Sequence, residues 1–243
     1  MKRLNVLLVL FVLLLAACGG GAEADAAVDA EADAAAQAEA DSAAQEQLAE
    51  EAAAALEPPP TPDVAQGDCA AGLAPGANLA ACAFTDSNLT GTDLTGATLT
   101  NAHFSDSNMS ESTFNDATVV NTTFDSCNLS GSLWLNADAT LAQMGGNNLS
   151  GAIFTDANLQ FASLAGANLT GADFTGADLT GADLSTANLT DVNFTGAILT
   201  GADLNTTVLT GATITQEQLD SAASLENAVL PSGGAGDEID AGY

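Results

Sequence analysis

An apolar residue recurs at every fifth position from Leu79 to Ile214, through 28 consecutive units without a phase slip. Twenty-two of these centres are Leu or Phe. Two residues before each centre stands Ala, Ser, Thr or Cys, with Asn147 and Val192 as the two departures. A period of five matches neither the 3.6 of a helix nor the 2 of a strand. The chain must instead turn a corner once in every unit. A coil with one unit per side meets this demand. The large residue fills the interior, and the small one lets backbones approach across a narrow core.

Within the run, "GANLT", "GADFT" and "GADLT" recur almost letter for letter. This resembles the A-(D/N)-L-x-x pattern of the pentapeptide-repeat family, and the resemblance extends from Gly76 to Ile214. It implies an all-β fold, a right-handed quadrilateral β-helix with four units per turn and about seven turns. Four units per turn would stack each residue on its counterpart four units on, and the sequence tests this directly. Phe84, Phe104 and Phe124 keep that spacing, as do Phe114, Trp134, Phe154, Phe174 and Phe194. All aromatic centres thus fall on two columns, which lie on opposite sides of the square. One column fades as the other takes over, keeping core volume roughly constant except where Phe124 meets Trp134. On an outward column Asn88, Asn108, Asn128, Asn148, Asn168 and Asn188 form a ladder. Amides stacked about 4.8 Å apart can bond continuously along it. This side reads as structural, with a homodimer face or the binding of a flat repetitive ligand as the other uses of a flat amide-lined surface.

Open ends of such a coil are exposed edges that need covers. At the C-terminal end Thr215 and Gln218 match a capping box, which predicts a short capping helix. At the other end Cys69 and Cys82 are a candidate pair to staple the first turn. With Cys127 they make an odd number, which leaves at least one unpaired or bonded to another chain. Cys127 stands about two turns from Cys82, too far for a direct bond.

The chain starts "MKRLNVLLVLFVLLLAACGGG", with a basic pair, a short apolar run and small residues before a cysteine. That is the pattern of an export signal. "LAAC" resembles a bacterial lipobox, which implies that Cys18 becomes a lipidated N-terminus. Residues 22–63 are mainly Ala, acid and Gln, too poor in apolar surface to form a core. As a flexible coil such a spacer averages roughly 35–40 Å end to end. The expected organisation is a signal peptide at 1–17, a tether at 18–66, the β-helix at 67–215, and a capping helix with tail at 216–243.

Composition limits function. The chain carries 32 acidic residues against two basic ones, Lys2 and Arg3. A surface without fixed positive charge repels nucleic acid and anionic headgroups. No Cys/His cluster has metal-ligand spacing, and His103 stands alone on an outward position. Asp173, Asp178, Asp183 and Asp203 read as a solvated acidic surface, with weak cation binding as the alternative. We therefore expect no catalytic residues, no metal and no cofactor. The pattern is least regular at residues 132–148, where the centres weaken to Ala139 and Met144. Leu133, Leu135, Leu141, Ile153 and Phe161 are apolar outside the interior there and form the candidate interaction patch. The expectation is a non-enzymatic solenoid, lipid-anchored in the cell envelope on the extracytoplasmic side. It would act as a spacer or as a scaffold for a protein partner. Some family members mimic DNA and bind gyrase to protect it from quinolones. The acidity fits that role, but an export signal does not.

Overall fold

The computed structural model describes residues 56–58, 67–70 and 72–231. The chain divides into two compact units, Met1–Glu57 and Pro58–Tyr243, and the second holds the coil. The expected signal peptide with Cys18, most of the tether and the tail beyond 231 lie outside the described residues.

One backbone event generates the architecture. Every fifth residue from Gly76 to Gly211 has a left-handed φ, between 50° and 74°. Glycine adopts this region freely, and Asn and Asp tolerate it better than other residues, which explains why these three dominate the position. After most of these corners the N–H of the small inward residue bonds back to the preceding centre, as in Ala97 N to Leu94 O at 3.0 Å. The chain then runs briefly straight and bonds to the turns before and after it. Leu94 N donates to Thr113 O at 2.7 Å, and Thr113 N donates to Thr92 O at 2.9 Å.

These bonds give four sides of parallel rungs, each rung bridging its counterpart four units on, as Asn88 bridges Asn108 and Asn108 bridges Asn128. The first side contains β1 (Ala83–Thr85), β2 (His103–Ser105) and β3 (Thr123–Asp125) in one parallel sheet of order β1-β2-β3, with Phe84, Phe104 and Phe124 in register. The second side runs from Asn88 to Asn188 and on to Val208. The third runs from Asp93 through Leu133 and Ile153 to Thr213, and the fourth from Asn78 through Asp138 and Asn158 to Ile198.

The interior follows the two aromatic columns. Phe84, Phe104 and Phe124 stack with centroids 4.9 and 5.3 Å apart. Opposite them Phe114, Trp134, Phe154, Phe174 and Phe194 stack at 4.0 to 5.4 Å. Where the columns overlap, Phe124 meets Phe114 and Trp134 edge-on, at 6.1 and 5.8 Å. Edge-to-face contact fits the ring quadrupoles and suits a crowded layer. The indole is fully buried, and its Nε1 donates to Ser132 Oγ at 2.7 Å. Ala139, the next centre along the chain, is fully buried as well. Its small side chain offsets the volume of Trp134, so what reads as fraying in the sequence is compensation within one layer.

The helix α1 (Gln216–Ser221) forms with the expected capping box at Thr215 and Gln218. It does not end the coil. Leu219, one unit after Ile214, fills the next inward position and is 1% exposed. Beyond it Ser224 bridges Asp203 and Val229 bridges Val208, so this last turn holds one residue more than those before it. The helix thus replaces the fourth side of the last turn at the cost of that extra residue, and the coil extends past the expected boundary at 215. Gln218 ties the helix to the coil: its Nε2 donates to Phe194 O at 2.6 Å and Ala197 O at 2.8 Å.

Enlarging Ala139 to Leu should overpack this layer and destabilise the protein by about 1–3 kcal/mol. The cost should shrink in a Trp134→Leu background, because the two residues share one space. Thermal denaturation of the two single variants and the double variant checks this coupling.

Candidate functional site

The outward Asp or Asn before each centre is held in place by its own unit. Asp173 Oδ1 accepts from Thr175 N at 2.9 Å and from Thr175 Oγ1 at 2.6 Å. The same pair of bonds joins Asp178 to Thr180 and Asn188 to Thr190. At Asp93 the Thr95 hydroxyl and then its N–H hold the carboxyl below the usual carboxylate range. This Asx geometry is why Asp or Asn and Thr recur on either side of the centre.

On the second side the amides also bond along the column. Asn128 donates to Asn108, Asn148 to Asn128, and Asn168 to Asn148, at 3.1 to 3.2 Å. Asn108 and Asn188 donate instead to Thr90 and Thr170. Asn88 accepts from Thr90.

A second polar column lies inside, where the first side turns into the second. Ser107 Oγ accepts from Ser87 N at 3.1 Å and donates to Ser105 O at 2.8 Å. Cys127 Sγ donates to Asp125 O at 3.5 Å and Phe104 O at 3.7 Å. Asn147 accepts from Cys127 N at 2.7 Å and donates to Phe124 O at 2.6 Å. From Ala167 onward the turn bond to the preceding centre resumes at this corner. Asn147, which breaks the sequence pattern, is therefore the last member of a column that satisfies buried backbone groups. Cys127 belongs to that column. Burial pushes its thiol up, the Ser107 N–H opposes this, and Asp125 and Asp106 add to the rise.

Cys69 and Cys82 form a disulfide across 13 residues at the start of the coil. Closing a loop of this size stabilises by about 3 kcal/mol in the chain-entropy picture. His103 Nε2 lies 3.7 Å from Asp125 Oδ2, both side chains well exposed. Among the described residues no group of three His, Cys, Asp or Glu is placed to hold a metal.

The candidate apolar patch divides in two. Leu133 and Ile153 bridge each other on the third side, and Leu135 follows at the corner leaving it, 37% exposed. Leu141 and Phe161 stand at the corner where the fourth side meets the first. The fourth side, with Asp138 and Asn158, lies between the two groups. Leu141 and Phe161 are half-buried, with φ of 61° and 56°. A bulky residue in this region is strained by about 1–3 kcal/mol. Phe161 also lies across Gly181: a Cβ there would meet its ring at 2.6 Å. Thr186 and Thr206 share the strained backbone but are polar.

Among the described residues the most exposed large apolar ones lie elsewhere, at Ile198 (47%) and Val229 (52%). No rung covers Ile198, because α1 stands where the next one would be. Its exposure follows from the lengthened last turn, which the regular period does not show.

Family models recognise the repeats of this coil. Models of pentapeptide repeats match residues 152–191 and 187–222, and a model of the pentapeptide repeat region matches 77–154. Together they span more than half of the chain. Among solved structures, the chain is similar to HetL from the cyanobacterium Nostoc sp. strain PCC 7120, a pentapeptide repeat protein involved in heterocyst differentiation regulation. The identity is 25% over 62% of this chain and 86% of that one, with a TM-score of 0.23. It is similar to Rfr23 from the cyanobacterium Cyanothece 51142 at 23% identity, covering 58% and 89%, with a TM-score of 0.36. QnrB1, a plasmid-mediated fluoroquinolone resistance protein, matches at 20% identity, covering 64% and 83%, with a TM-score of 0.22. A search of curated proteins returns no match.

Cys127 should resist thiol reagents in the folded protein and react on denaturation. Its raised folded pKa also has a sign. The stabilisation is complete below the unfolded value near 9 and is lost as pH rises through the folded value. Cys127→Ser should flatten this alkaline loss, read as melting temperature against pH.

Proposed function

Since the chain belongs to the pentapeptide-repeat family, we propose that it is a non-enzymatic, lipid-anchored solenoid. It faces the extracytoplasmic side of the cell envelope and serves as a spacer or protein-interaction scaffold. The observation that carries the reading is "LAAC" at residues 15–18, after a short apolar run and before an acidic, Ala-rich spacer. Lipid on Cys18 holds the chain at the membrane. Residues 18–66 set the distance, and the coil presents regular sides beyond it. Strong acidity keeps such a repeat soluble and apart from anionic surfaces. The Asn-lined second side, whose column from Asn88 to Asn188 holds no carboxylate, is the side on which two copies meet with least repulsion.

Fractionation of cells fed labelled fatty acid tests the anchor. We expect labelled protein in the membrane fraction, with Cys18→Ala abolishing the label and releasing or mislocalising the chain. An unlabelled product in the cytoplasm overturns the reading.

A further inference from the structure

The corner between the fourth and first sides carries two polar rungs followed by two apolar ones. Asn101 accepts from Asn121 Nδ2 at 2.8 Å, and Leu141 and Phe161 come next. Asparagine is at ease in the left-handed backbone of this corner, whereas Leu and Phe are not. A polar rung would fit the site better, so the fold gains nothing in backbone energy from these two residues. They are nevertheless placed one above the other. One edge of the Phe161 ring lies over Gly181, the next position, where a Cβ would come within 2.6 Å of it.

Carboxylates flank this edge. Asp138 and Asp178 project from the fourth side, and Asp183 from the first. Each has one oxygen engaged by its own unit, at Thr140, Thr180 and Ser185, and the second oxygen of Asp178 also accepts from Gln160 Nε2 at 2.7 Å. The chain has no Lys or Arg after Arg3 to neutralise them. A second copy would bring the same carboxylates to the contact, so like charges would oppose a homodimer here. An apolar ridge between acidic flanks fits a partner of the reverse pattern.

We propose that the Leu141–Phe161 edge docks a cationic amphipathic segment of another protein. Apolar side chains of that segment cover Leu141 and Phe161, and its Lys or Arg residues face Asp138, Asp178 and Asp183. This rests on the scaffold reading above and specifies its partner. It does not depend on the anchor, so labelling at Cys18 and binding at this edge can fail separately.

The test uses the purified full-length chain and three fluorescent peptides: an amphipathic Leu/Lys peptide, a Lys/Ser peptide of equal charge, and a Leu/Glu peptide. Anisotropy should show binding of the Leu/Lys peptide at least about tenfold tighter than of the other two, weakening steeply from about 0.1 M to 1 M salt. The variant Leu141→Asn/Phe161→Asn should lose about tenfold in affinity while melting at the same or a higher temperature. The variant Leu133→Thr/Ile153→Thr, with the residue native to that column at Thr113 and Thr213, should bind within twofold of the parent. The proposal is overturned by equal binding of the Lys/Ser peptide, by no binding of the Leu/Lys peptide, or by unchanged affinity in the Asn variant. It is equally overturned if the Asn variant melts lower, which makes the pair structural, or if the Thr variant is the one that loses binding.

Discussion

The structure depends on a left-handed backbone residue recurring once in every unit. Each such corner redirects the chain by about a quarter turn, so four units bring it back over itself. Only then can parallel backbone bonds form between one turn and the next. The left-handed region is expensive for most residues, so the sequence must supply Gly, Asn or Asp at short intervals. The interior is correspondingly narrow: two inward positions per side, one large and one small. Stability then comes from nearest-neighbour stacking of turns rather than from one central core. In a chain without basic residues beyond Arg3, packing and hydrogen bonds carry the coil, with His103 and Asp125 the nearest approach to an ion pair among the described residues.

Much of this is legible in the sequence because stacking makes it redundant. The period of five appears at Leu79 and is repeated through Ile214. The columns announce themselves through Phe, Trp and Asn at fixed spacing. The capping box at Thr215 and Gln218 is local and reads directly. What the sequence hides is what depends on a neighbour in the same layer or the next turn. Ala139 and Asn147 look like decay of the pattern. Ala139 makes room for Trp134, one unit earlier, and Asn147 serves Cys127, one full turn earlier. The helix could be foreseen, but not that it would stand in for one side of a turn. That outcome requires the extra residue before Ser224 to be absorbed, and it leaves Ile198 uncovered.

The candidate site shows the same division. Leu133, Leu141, Ile153 and Phe161 stand out by residue type, and their column spacing is plain. That they fall into two groups, one on a side and one at a corner, depends on where the corners lie. The strain at Leu141 and Phe161 is a backbone property, and it separates this pair from ordinary drift. Drift in a tolerant repeat tends towards residues that suit the position. These two do not suit it, and their column otherwise holds Ala81, then Asn101, Asn121, Gly181 and Gly201.

The near-identity of the repeats raises a problem that the Trp134 layer answers. A chain built of interchangeable turns can thread itself out of step by a whole turn and still bury most of its apolar residues. Such slipped forms differ little in energy, and a smooth repeat offers nothing to tell them apart. Looping out the turn before Trp134 would set it on Leu94 in place of Phe114 and lose the rings stacked 4.0 Å apart. The aromatic crossover acts as a key cut at one position along the coil. It fixes which turn is which, and with that the place of every side chain along the coil.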